Sequence, residues 1–188
     1  MKITIPEDIR QLALETYLVV KQRNPENIPV TVLHIGSEYT FIAQGMDSLK
    51  PDNLWMFDIG TDKTAFDFFK QFPPTPGEVE NAIQVVEDEV MPLHKLLVPK
   101  SNLYTLDEKV MDIAKLSMFK ESAQGIILAR TDMEFVFNRL AAIISGRPSS
   151  QDVLPTTNAF VSTILILREV MHHLGFPDIT VLSHEKIF

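Results

Sequence analysis

Residues 30–45 read VTVLHIGSEYTFIAQG. An apolar run stops at Gly36, and apolar side chains then return at every second position, Tyr39, Phe41 and Ala43. A period of two requires extended chain, and a glycine between two such runs marks a tight reversal. The stretch is read as a β-hairpin, which commits the chain to a sheet. Turns of this shape hold a nucleotide or a phosphate chain in many proteins, so the hairpin also raises a question of function.

The surroundings of the hairpin set the architecture. Ile9, Leu12, Ala13, Tyr17 and Val20 recur at helical spacing, predicting a helix over 7–23 that Asn24-Pro25 stops. The hairpin over 30–45 divides into strands at Val30–Ile35 and Tyr39–Ala43, and a third strand is expected over 54–59, across the polar segment Met46 to Asn53. Thr75-Pro76-Gly77-Glu78 is a capping box with proline at the first helical position, followed by an apolar stripe of Val79, Ala82, Ile83, Val86 and Val90 that ends near Pro92. The same box is read at Thr105-Leu106-Asp107-Glu108 and at Thr131-Asp132-Met133-Glu134, the last opening a helix with Val136, Phe137, Leu140, Ile143 and Ile144 that Gly146 closes. A long apolar helix runs from about Thr157 to Leu174, closed by Gly175, and a last strand is expected over 179–182. Strands lead and helices then alternate with short strands. The fold class is α/β, a mixed central sheet flanked by helices, in one domain spanning 1–188.

Composition excludes several functions. The 17 basic and 25 acidic residues leave a net charge of −8, which repels nucleic acid and anionic membrane. No cysteine is present, so neither a disulfide framework nor thiolate chemistry is available. The opening MKITIPEDIRQL lacks the apolar core of a signal peptide, and no run approaches the ~18 apolar residues of a membrane span. A cytoplasmic location is expected. His172 and His173 are adjacent, about 100° apart on a helix, and belong to a helix C-terminus rather than a metal site. His34, His94 and His184 complete the histidines, and no metal-binding spacing occurs among them. Glu87-Asp88-Glu89 reads as a solvated helix face. Neither a G-x-S-x-G elbow nor a G-x-x-x-x-G-K-[ST] loop is present, and no catalytic residue is assigned.

The order of segments resembles the second domain of the exopolyphosphatase and guanosine pentaphosphate phosphohydrolase family, which has an actin-like, ribonuclease-H-like fold. In that family a strand ends D-I-G-G-G-S-T before a hairpin, and His34-Ile35-Gly36-Ser37-Glu38-Tyr39-Thr40 is the counterpart. The family's L-G-x-x-R-L-T-E-x-F is similar to Ile59 to Phe69, and its P-x-x-x-E-L helix to Pro74 to Val79. Its G-x-G-G-T turn falls near Thr105 to Lys109, and its H-G-Y-x-L near Gln124 to Leu128. Its I-L-P-G-A-x-I and L-G-x-x-x-I-x-V-S-D resemble Val153 to Ala159 and Leu174 to His184. Each motif is degenerate, and the argument rests on their order and spacing from Val30 onward.

The resemblance implies a cleft beside His34, Gly36, Ser37, Glu38, Thr40, Asp58, Gly60, Thr61, Lys63 and Thr105, with Lys63 as the cation near the turns. It also implies that phosphate chemistry has been substituted out. His34 replaces the aspartate that would suit Mg²⁺, and imidazole is a poor ligand for that ion. Only Gly36 of the glycine run remains, Glu38 sets a carboxylate where phosphate oxygens would lie, and Asp107-Glu108 occupies the second turn. The family's first domain, with the acidic residue that activates water, has no counterpart in the chain. Two readings follow. One is a non-catalytic domain in protein binding, regulation or assembly, as a homodimer or with another protein, without cofactor. The other is residual binding of a phosphorylated small ligand, or hydrolysis completed by a partner subunit, with Mg²⁺ involved only in that case.

Overall fold

The hairpin forms as its alternation requires, between Val30–Ile35 (β1) and Thr40–Gly45 (β2), and Asn53–Phe57 (β3) adds a third antiparallel strand. The strands β2 and β3 run over slightly different residues from the 39–43 and 54–59 expected, because the ladder extends to Gly45 and ends at Phe57. The computed structural model describes residues 5–24, 28–46, 49–122 and 125–183; Pro25, Asp47, Ser48, Gln124 and His184 lie outside them. Asn102–Thr105 (β4), Lys120–Ser122 (β5), Gly125–Ala129 (β6) and Asp178–Val181 (β7) complete a seven-stranded mixed sheet in the order β3-β2-β1-β4-β7-β6-β5. Strands β1, β4 and β7 are parallel neighbours, and the other pairs are antiparallel. The strands β4, β5 and β6 were not among those expected: NLYT and KES show no period-two run, and GIILA is apolar in succession rather than alternating.

Both faces of the central strands are covered. The helix Glu7–Arg23 (α1), with the limits its stripe predicted, lays Ile9, Ala13, Tyr17 and Val20 on Val32, Phe41, Ala43 and Tyr104. The other face carries Thr61–Phe68 (α2), Pro76–Val90 (α3), Glu108–Lys115 (α4), Arg130–Ile144 (α5) and Asn158–His173 (α6). A strand buried on both faces has no solvent side, so β1 and β2 are buried along nearly their whole length, Thr31, Thr40 and Gln44 included. The apolar helix read over 157–174 is α6, and it touches α2, α3, α4, α5 and β1. A helix apolar all round is a core helix.

One of the three capping boxes forms. The Thr75 hydroxyl accepts from the Glu78 N–H (3.3 Å), and the Glu78 carboxylate accepts from the Thr75 N–H (2.8 Å). The other two do not. Thr105 belongs to β4 and pairs with Val181, so its backbone cannot begin a helix; α4 starts from Asp107 instead. At the third, β6 passes straight into α5 at Ala129, and the Arg130 N–H bonds the Pro177 carbonyl, which places Thr131 already inside the first turn. Gly146 and Gly175 do close α5 and α6, with φ of +108° and +77°.

An acidic clamp fixes the chain after α5. The buried Asp152 carboxylate accepts from Arg139 on α5 and from Arg147 in the following loop. The hydrogen bond from Arg139 and its positive charge hold the Asp152 carboxyl below its ordinary range. A lowered folded pKa contributes stability above the unfolded value near ~3.9 and loses it as pH falls through the folded value. Asp152→Asn is therefore expected to be less stable than the parent at neutral pH, and to lose less stability on acidification below roughly pH 4. Urea unfolding midpoints at neutral and acid pH check this; parallel acid profiles for the two proteins refute the clamp.

Candidate functional site

Parallel neighbours end on the same side of a sheet, so β1 and β4 bring residues 34–39 and 106–109 together. Ligands in open α/β sheets favour this position. An open cleft of about 530 Å³ lies there, lined by His34, Gly36, Ser37, Glu38 and Tyr39 on one side and by Asp107, Glu108 and Lys109 on the other.

Asp107 ties the two sides. Its Oδ1 lies 2.6 Å from His34 Nδ1, and its Oδ2 accepts the Ile35 N–H at 2.7 Å. The Asp107 N–H in turn donates to the Thr105 hydroxyl (3.1 Å). The residue at the N-terminus of α4 thus does not cap its own helix; its carboxylate is committed to β1. The His34 ring packs against Phe41, with centroids 4.9 Å apart, and tilts against Tyr39. Burial pushes the Tyr39 phenol above its usual range, and Asp8 adds to the shift.

The turn between β1 and β2 is hydrogen-bonded inward. The Gly36 N–H donates to the Tyr39 carbonyl (2.9 Å). The Gly36 carbonyl accepts from the Thr61 N–H (2.8 Å), and the Ser37 carbonyl accepts from the Asp62 and Lys63 N–H groups (2.9 and 3.1 Å). The first N–H groups of a helix have no partner within it and are the usual donors to phosphate. Here the first three of α2 are taken by the turn itself.

The cleft gathers His34, Gly36, Ser37 and Glu38 of the residues expected there. Thr40, Thr61 and Thr105 are fully buried beneath it, and the Thr40 hydroxyl donates to the Ile59 carbonyl (2.8 Å). Gly60 is packed against the Ser37 backbone. Lys63 does not line the cleft. Its ammonium bonds Asp67 (3.0 Å) and faces Asp58 (3.7 Å), and both keep it above its ordinary pKa, the Asp67 hydrogen bond most. This helix pairing at i, i+4 is why the expectation for Lys63 fails. The cation of the cleft is Lys109, whose Nζ donates to Thr61 Oγ1 at 2.5 Å. Neither Lys109 nor the bracing role of Asp107 was legible in the sequence, since both follow from the adjacency of β1 and β4, which are separated by 66 residues of chain between Ile35 and Asn102. Among the described residues no group of three or more His, Asp or Glu side chains could hold a metal ion, and no helix is long and apolar enough to cross a membrane.

A mixed sheet with an N-terminal antiparallel meander, two further parallel strands and a cleft at their ends defines an actin-like α/β domain. The fold is shared with Ppx/GppA proteins. The Ppx/GppA phosphatase of Aquifex aeolicus, type II variant, is similar at a TM-score of 0.74 with 21% identity, over 93% of this chain and 59% of that one. An exopolyphosphatase-like protein matches at 0.69 with 15% identity, over 95% of this chain and 63% of its own. An exopolyphosphatase from Cytophaga hutchinsonii matches at 0.68 with 16% identity, over 89% of this chain and 57% of its own. The chain therefore spans about three-fifths of the length of these structures. No protein-family model matches the sequence, and no curated protein is similar to it.

Proposed function

We propose that this chain is an exopolyphosphatase-related actin-like domain that works by binding, in regulation or assembly, and does not itself hydrolyse phosphoanhydrides. The observation that carries this reading is the inward hydrogen bonding of the turn: the leading N–H groups of α2 are spent on the Gly36 and Ser37 carbonyls. Charge supports it. Glu38, Asp107 and Glu108 line the cleft against Lys109 and His34, so a polyanion meets three carboxylates. Exposed apolar side chains such as Phe66 and Met118, 89% and 78% exposed, are surface that a second copy or another protein would cover.

A second reading, weak binding of a small phosphorylated ligand, is favoured by one feature. Lys109 Nζ gives a hydrogen bond to Thr61 and has further N–H groups for an anion.

Thermal unfolding of the chain with ATP, guanosine polyphosphates and short polyphosphate, with and without Mg²⁺, separates the two. The first reading predicts no shift and no phosphate release. A ligand at 100 times its dissociation constant adds ~2.7 kcal/mol, roughly 5–10 °C for a chain of this size. A Mg²⁺-dependent rise of that order establishes the second reading and removes the first. Light scattering across a concentration series tests self-association separately.

A further inference from the structure

The parallel strands have a second end. Where β4 and β7 begin, opposite the His34 cleft, the loop before β4 and the turn after α6 enclose a cavity of about 470 Å³. We propose that this cavity binds a small organic anion, a carboxylate or phosphate monoester borne on an aromatic or short aliphatic body.

Its lining has a basic balance, in contrast to the acidic chain as a whole. Lys100, His94, Ser101 and Asn102 supply its polar surface, and among the described residues no carboxylate lines it, in a chain of net charge −8. The His34 cleft, by contrast, carries three carboxylates. Leu97, Leu174 and Phe176 give the apolar part. Few well-placed polar groups on an apolar wall, in a volume of this size, is the usual make-up of a small-molecule site.

The polar side is held in place before any ligand arrives. Buried Gln44, near the end of β2, accepts the Val98 N–H (2.8 Å) and donates to the Val98 carbonyl (3.3 Å) and Ser101 Oγ (3.0 Å). Thr31 Oγ1 donates to Ser101 Oγ at 2.8 Å. Between these anchors Lys100 sits at φ +63°, a left-handed conformation uncommon for a residue with a Cβ. Such strain persists only where its surroundings impose it, and here the imposed conformation places a lysine at the rim of the cavity. The opposite wall is equally fixed, by the Gly175 and Phe176 N–H groups bonding the His172 and Met171 carbonyls. The negative end of α6 opposes an anion by about half a charge, but those bonds occupy its last turn, and the full charge of Lys100 exceeds it.

Titration of the isotope-labelled chain with phenyl phosphate, benzoate, inorganic phosphate and benzyl alcohol, followed by amide NMR, tests the site. Phenyl phosphate and benzoate are expected to shift amides of residues 97–102 and 174–176, with inorganic phosphate and benzyl alcohol weaker by about tenfold because each uses half the lining. Lys100→Gly relieves the strained φ, so the fold is kept and the melting temperature does not fall, yet binding weakens by about tenfold. Lys100→Arg retains it. Absence of clustered shifts up to about 20 mM, equal affinity for benzyl alcohol, or unchanged binding in Lys100→Gly overturns the proposal. These residues lie outside the His34 cleft, so the result is independent of the function proposed above.

Discussion

Gly60→Ala is expected to lower the melting temperature by roughly 6–12 °C, the consequence of losing about 3 kcal/mol in a chain of this length. Gly60 precedes α2 with φ −149° and ψ +168°, extended backbone that alanine adopts without strain. The effect is therefore steric. An added Cβ would lie 2.3 Å from the Ser37 carbonyl oxygen and 2.5 Å from the Glu38 carbonyl carbon. Both are backbone atoms and cannot rotate away. Relief requires the turn to lift off α2, which breaks the three bonds from the Thr61, Asp62 and Lys63 N–H groups to Gly36 and Ser37. At about 1 kcal/mol net for each, the total is about 3 kcal/mol. Thermal unfolding reads the loss, and amide hydrogen exchange at residues 61–63 shows whether the turn has opened. A melting temperature unchanged within the error of the experiment would mean that the turn does not pack on α2. The same variant bears on function: freed α2 donors would regain the capacity to meet an anion, so a phosphate response appearing only in Gly60→Ala supports the inward bonding as the reason the parent has none.

The second large effect is expected in α6. Leu165 is fully buried, on the helix that touches α2, α3, α4, α5 and β1. Leu165→Ala removes apolar contact and leaves a cavity that five elements would have to move together to fill. A loss of about 3–5 kcal/mol is expected, at the upper end for such truncations because collapse is blocked on every side. Against a typical total of about 5–15 kcal/mol this is a large fraction. Denaturant unfolding measures it through a shifted midpoint at constant slope. Leu96→Ser is the control: Leu96 is 61% exposed, and its loss should leave the midpoint nearly unchanged. A Leu165→Ala variant as stable as the parent would displace α6 from the centre of the core.

Much of the fold was legible because its signals are local. The limits of α1 followed from apolar spacing and the stop after Arg23, those of β1 from the run before Gly36, and the start of α3 from a capping box whose two hydrogen bonds close within four residues. The order of segments along the chain carried the actin-like fold class. The same local logic misled at Thr105 and Thr131. A box-like sequence there met a strand ladder and a direct strand-to-helix passage, and sheet pairing outweighs a single cap. At the candidate cleft the sequence supplied the residue types near the hairpin turn, His34, Gly36, Ser37 and Glu38 among them. Whether Lys63 or Lys109 faced the turn, and whether Asp107 repelled or braced it, depended on which strands became neighbours. The sequence alone determined α1, the β1–β2 hairpin, the capped start of α3 and the apolar helix α6, since those preferences lie in each residue and its nearest few. Only the tertiary structure decided that β4 lies beside β1 and that the α2 donors meet the Gly36 and Ser37 carbonyls, because hydrogen bonds and charges act over a few ångströms of space, and residues far apart along the chain reach that range only once the sheet has assembled.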